Sequence, residues 1–247
     1  MLDVARVAQD GAVMVGLLVV LGLALRRAEL APPKRGWIWA GTAVVLLAWY
    51  VVISSLALQD TFKASLAVRV PAIPFAVLGP LLIAFVLLSR SAVARALVDA
   101  TPLWWLVAIQ IYRVVGVEFL LLWAQGGLPA VFAVPAGLGD IATGLLTIPV
   151  AWWARRDPQK ARPAALAWNA IGILDFFSAM ATGFLSSPGK LQVLALDQPN
   201  LLASVYPLVM IPTFLVPLSF ILHGICLWKI ARLSERRRTA QVLAASA

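Results

Sequence analysis

Apolar residues run through this chain in seven long stretches, at about 12–26, 37–58, 71–88, 102–123, 131–153, 164–185 and 201–228. A transmembrane helix needs about 20 mostly apolar residues, so each stretch is long enough to cross a bilayer or nearly so. The polar segments between them are short and leave no room for a soluble domain. The pattern predicts an all-α fold, a polytopic transmembrane bundle of seven helices over residues 1–247.

Local residues sharpen these boundaries. Met1 to Asp10 is short and mixed, without a basic leader, and no small-x-small cleavage pattern follows the first stretch. The stretch is therefore read as a retained helix and not as a signal peptide. Pro32-Pro33 breaks the chain before the second stretch, and Trp37 and Trp39 stand where interface anchors belong. Trp104-Trp105 and Trp123 bracket the fourth stretch, and Trp152-Trp153 close the fifth. Pro71, Pro74, Gly79 and Pro80 predict an irregular third helix. Ser89 to Ala100 reads as a short interfacial helix. Gly126, Gly127 and Pro129 predict a tight turn.

Composition agrees: 62% of the residues are hydrophobic and only 13% are charged. The net charge of +9 does not imply nucleic acid, because the basic residues sit in short loops and lack the spacing of a nucleic-acid motif. Alternating sides after each stretch, Arg26, Arg27, Lys34, Arg35, Arg90, Arg95, Arg155, Arg156, Lys160, Arg162, Lys229, Arg232, Arg236, Arg237 and Arg238 share one side. Arg6, Lys63, Arg69 and Lys190 lie on the other. Such asymmetry predicts an external N-terminus and a cytoplasmic C-terminus. The chain reads as a multi-pass protein of a bacterial inner membrane, with the lipid bilayer as its first partner. Its homo-oligomeric state is not written in the sequence. One cysteine excludes an intrachain disulfide.

Arg113 is the one basic residue left inside a stretch. Charges at bilayer mid-depth are costly and mark functional sites by default. Arg113 lies in Gln110-Ile-Tyr112-Arg113, five residues before Glu118, so the two do not share a helix face well. Asp140 and Asp175, on the fifth and sixth helices, are the expected partners of Arg113, and Glu118 is expected to meet another helix or the outer vestibule. Gly137, Asp140, Gly144 and Thr147 form one small-residue seam; Gly172, Asp175, Ser178 and Thr182 form a second. The recurrence of Gly-x-x-Asp in both helices rests on too few positions to establish a duplication. Pro135 beside two glycines predicts local unwinding, and Pro207, Pro212 and Pro217 predict kinks in the last helix. One arginine against Glu118, Asp140 and Asp175 gives the interior a formal charge of −2, which a proton or a cation would offset. The competing reading is a structural ion pair that fixes helix order.

Tyr112, Arg113, Glu118, Asp140, Asn169, Asp175 and His223 are thus the candidates for binding a substrate or an ion. His223 shares a face with Ser219 and Cys226, but one His and one Cys make a weak metal pair, and no metal is assigned. A single histidine excludes bis-histidine haem within one chain, and no motif names a cofactor. Seven spans with an external N-terminus resemble the retinal-binding pumps. That resemblance fails, because Lys229 lies at the edge of the last helix and no lysine lies deeper. No nucleotide-binding, zinc-protease or hydrolase motif is present. Three functions remain: proton-coupled transport or ion translocation through a pocket between helices four and seven; a membrane-embedded enzyme or lipid- or quinone-binding protein; and a sensor or assembly subunit without chemistry.

The charge asymmetry sets the first test. A cysteine placed between Ser186 and Asn200 should label from outside in intact cells, and one between Asp157 and Ala161 should not. The reverse pattern would invert the topology.

Overall fold

The computed structural model describes the backbone of residues 2–28, 30–67 and 71–245, with side chains over 4–28, 30–67 and 71–235. Arg69, Arg236, Arg237 and Arg238, which enter the charge pattern above, lie outside the described side chains. Among the described residues helices are joined by turns and loops, without strands, and seven helices are long and apolar enough to cross a membrane.

These seven spans are Val4–Arg27, Pro32–Leu58, Ile73–Arg90, Leu103–Ala124, Ala130–Arg156, Arg162–Ser186 and Ile211–Glu235. Helix α1 covers Leu2–Arg27, α2 Pro32–Leu58 and α3 Ile73–Arg90. The short α4, Ala92–Ala100, follows; it is capped by Ser91 Oγ, which accepts from the Ala94 N–H at 3.1 Å. Next come α5 Leu103–Ala108, α6 Val117–Ala124, α7 Ala130–Arg156, α8 Arg162–Ser186 and α9 Val216–Ala245. The last span is the centre of the bundle: 61% of its most apolar window is buried, against 6% in α3. Outward-facing residues such as Val44, Leu82, Ile148 and Leu174 are large and apolar, as a lipid-facing surface requires.

The fourth span departs from one regular helix. Between α5 and α6, Ile109–Gly116 winds as a 3₁₀ helix. With three residues per turn, Gln110, Arg113 and Gly116 fall on one line, and all three are buried. That line packs on α7. A Cβ on Gly144 would lie 2.8 Å from the Val114 nitrogen, and one on Gly137 would lie 2.9 Å from the Gly116 carbonyl oxygen. The small-residue seam of α7 is therefore a place of near backbone contact, where any side chain would hold the helices apart.

Several sequence expectations are corrected. Helix α1 reaches back to Leu2, ahead of the start expected near 12, and it carries Arg6 and Asp10 into the interior, with Arg6 paired to Glu118. The last span starts at Ile211 and not at 201; Leu202–Ser204 is a 3₁₀ turn and Ile211–Leu215 a π-helical turn. Pro207 precedes the last span, Pro212 lies in its π-helical turn and Pro217 just after that turn, so the irregular winding falls at the start of the span and not in its middle. α7 runs unbroken through Pro135 and Pro149, so the unwound backbone belongs to the fourth span. α3 is likewise continuous through Pro80. On α8, Ser178 is exposed; the inward face carries Asn169, Gly172, Asp175 and Phe176.

At the end where α7 meets α8, Asp157 Oδ1 accepts the N–H groups of Gln159 and Lys160, and the Lys160 N–H holds this carboxyl below its ordinary range. Nearby, α4 is tied to α9. Lys229 Nζ donates to the carbonyls of Val98 and Asp99 at 3.0 and 2.8 Å, and Arg232 grips the Asp99 carboxylate with two bonds of 2.8 and 2.5 Å.

Gly144→Leu should separate the fourth span from α7 and cost about 1–3 kcal/mol, the scale of an overpacked core. Gly41→Leu, with nothing within 4 Å of its Cβ position, should cost nothing. Thermal unfolding of both variants in detergent checks the contrast.

Candidate functional site

Three spans bring charge to the middle of the bundle. Asp140 lies ten residues into α7 and Asp175 eleven residues from the end of α8, about 15 Å from the nearer helix end in each case. Arg113 sits at similar depth in the 3₁₀ segment. With a hydrocarbon layer of about 30 Å, all three are near mid-depth.

Arg113 is 1% exposed, and every part of its guanidinium is used. Nε donates to Asp140 Oδ1 at 2.8 Å and Nη2 to Asp175 Oδ2 at 2.5 Å. Nη1 reaches the Gly172 carbonyl at 3.4 Å and His223 Nε2 at 3.2 Å. The face of the group lies 3.9 Å from the centroid of Phe176, a cation–π contact. Arginine can only donate, so His223 Nε2 accepts and the imidazole is neutral, with its proton on Nδ1. Nδ1 then donates to Asn169 Oδ1 at 2.8 Å. Asn169 Nδ2 in turn donates to the Ala165 carbonyl at 2.7 Å and to Cys226 Sγ at 3.3 Å. The chain of donors and acceptors therefore runs from two carboxylates through Arg113 and His223 into α8.

Missing side chains make room for this network. A Cβ on Gly172 would lie 2.5 Å from His223 Nε2 and 2.6 Å from Arg113 Nη1, and one on Gly139 would fall on the Asp175 carboxyl. Charged groups of this size fit between packed helices only where the facing helix has nothing beyond Cα.

The remaining candidates make their hydrogen bonds outside this hub. Tyr112 shares a 2.5 Å hydrogen bond with Ser219 Oγ and ties the fourth span to α9. Glu118 accepts from Arg6 Nη2 on α1. Asp10, fully buried, lies beside Tyr50 and close enough to feel the charges of both Arg6 and Glu118. This second group was not anticipated. Its signal in the sequence was Arg6 and Asp10, four apart and on one face of a helix, just before an apolar run. The interior thus holds two clusters of the same make-up, Arg113 with Asp140 and Asp175, and Arg6 with Asp10 and Glu118. Each carries a formal charge of −1 when its acids are ionised.

A cavity of about 160 Å³ runs from the segments around Lys63 and Lys190 down to Asp140. Its walls include Phe62, Phe119, Phe132, Phe176 and Phe184. Among the described residues lining it, only Lys63, Asp140 and Lys190 are charged, and the two lysines belong to the loops at its mouth. Towards the α7–α8 end, the interior beyond Arg113 is filled by Leu103, Leu106, Val107, Ala151, Trp168 and Ile230. Asp140 is thus reached from one end of the bundle, and the cluster is covered by packed side chains at the other. Among the described residues no group of three His, Cys, Asp or Glu is placed to hold a metal.

The family described as Domain of unknown function (DUF8737) matches residues 70–231. That range holds Arg113, Asp140, Asn169, Asp175 and His223 and leaves out α1 with Arg6 and Asp10. No curated protein matches the chain, and no solved structure does.

Arg113→Ala would leave two buried carboxylates without their counter-charge. The expected loss is about 3–5 kcal/mol, as for other buried pairs stripped of one partner. Adding Asp140→Asn and Asp175→Asn to it should restore most of that loss. Unfolding of the single and triple variants in detergent measures the difference; equal stability of Arg113→Ala and wild type would show that the pairs contribute nothing.

Proposed function

The chain belongs to the DUF8737 family, a family without an assigned activity, and we propose that it is a proton-coupled carrier of a bacterial inner membrane. The observation that carries this reading is the position of Asp140, which lines the cavity and also shares Arg113 with Asp175. A group that enters the cavity meets a carboxylate whose charge is already balanced against a second carboxylate through one arginine. Loading the site and changing its protonation are then the same event. The packed layer beyond Arg113 supports one-sided access, which a carrier must have in each of its end states.

The basic loops orient this arrangement. With the C-terminus in the cytoplasm, the α7–α8 loop is internal and the mouth of the cavity is external. In this reading Arg113, Asp140 and Asp175 handle the proton, His223 and Asn169 position Arg113, and Tyr112 joins the fourth span to α9. The Arg6–Glu118 pair fixes α1 against the bundle.

The five phenylalanines of the cavity favour a second reading, a lipid- or quinone-binding protein, in which the same acids would act as proton donors to a bound headgroup. A stoichiometric lipid or quinone in the purified protein, without flux, would decide for it.

Reconstituted protein should carry protons across vesicle membranes under a pH gradient when its substrate is present. Proton uptake by detergent-solubilised wild type, measured between about pH 5 and 8, should change in Asp140→Asn or Asp175→Asn while the variants remain folded. If neither variant alters uptake, the pair does not carry a proton and the reading fails.

A further inference from the structure

We infer that the cavity takes a small organic cation with an apolar body, which displaces a proton from the Arg113–Asp140–Asp175 cluster. This rests on the carrier reading and adds the class of substrate to it.

Charge decides the class. Among the described residues that line the cavity below its mouth, Asp140 is the one ionisable side chain, set among aromatic rings. One arginine against two carboxylates leaves the cluster one positive charge short. The deficit lies inside the bundle, where a charge is screened far less than in water. Aromatic faces add attraction for a cation that has left water. The two lysines at the mouth oppose this only weakly. Lys63 is more than half exposed and pairs with Asp60 at 3.2 Å, Lys190 is exposed, and charges in water are screened over roughly 8 Å. An anionic amphiphile fits less well: with its headgroup at the lysines, its tail would end against a buried carboxylate and desolvate it without a partner.

The exchange balances. The cluster holds either one proton or one substrate cation, so each cation bound releases one proton. The titratable and charged groups facing Asp140 are Arg113 and Tyr112 from the fourth span and Asp175 from α8. His223 on α9 is held neutral by its bonds to Arg113 and Asn169 and takes no part in the count.

Benzyltrimethylammonium is a suitable probe, with neopentylbenzene as its uncharged isostere and laurate as an anionic amphiphile. Calorimetry on the full chain in detergent should show saturable one-to-one binding of the cation. Comparison in two buffers of different ionisation heat should show release of about one proton per cation, and affinity should fall about tenfold for each pH unit of acidification while the proton competes. Asp140→Asn should weaken binding at least about tenfold. Phe132→Ala, which leaves every charge in place, should weaken it about threefold. The inference is overturned if folded wild type does not bind the cation, if neopentylbenzene binds as well as the cation does, if laurate binds in its place, or if neither variant changes affinity. Cation binding without flux in vesicles would uphold this site and remove the carrier reading, whereas proton-coupled flux without cation binding would do the opposite.

Discussion

Everything polar in the middle of this bundle is arranged around the Arg113 guanidinium. A cation at mid-depth in a bilayer is costly unless its donors are used and its charge is offset. Here three helices meet that requirement together. α7 and α8 each supply a carboxylate, and α9 supplies a histidine acceptor. Because one planar group satisfies all three, the helices cannot slide past each other without breaking a charged hydrogen bond. The fork geometry of arginine makes this hub workable, since a lysine could not reach two carboxylates and a ring nitrogen in fixed directions.

The hub depends in turn on close backbone approach. The 3₁₀ turn of the fourth span lines up Gln110, Arg113 and Gly116 so that one narrow face meets α7. In a regular α-helix those three positions would be spread over about a third of the circumference. Glycines on the facing helices then provide the volume that the charged side chains fill. Removing side chains in order to bury charge is the reverse of ordinary core design. It restricts the site to one conformation of Arg113.

Around this layer the bundle is unequal at its two ends. One end has the phenylalanine-walled cavity and the loops that bear Lys63 and Lys190. The other is filled, and is further closed where Lys229 and Arg232 of α9 hold the end of α4. In the carrier reading, opening this end would mean loosening that contact, which is partly exposed and therefore weaker than the buried hub. The second cluster, Arg6 with Glu118 and Asp10, joins α1 to the fourth span outside the segment that matches the family. It repeats the composition of the first cluster without its histidine.

The apolar runs determined the fold class and the number of spans, because the bilayer sets both the length and the polarity of any crossing helix. Mid-run position alone singled out Arg113, Asp140 and Asp175, since few charges survive there. The sequence could not place Arg6 and Asp10 inside the bundle: a charged residue next to an apolar run looks like a loop until its partner is known, and Glu118 is 112 positions away from Arg6. Nor could it say where the backbone unwinds. Pro135 looked like the break, yet α7 passes through it while the fourth span, which has no proline between Leu103 and Ala124, winds as a 3₁₀ helix. Packing against the glycine face of α7 decides that, and packing is a property of two helices together. The cavity at Asp140 likewise belongs to no single segment, because its walls come from loops and helices that meet only when the chain has folded.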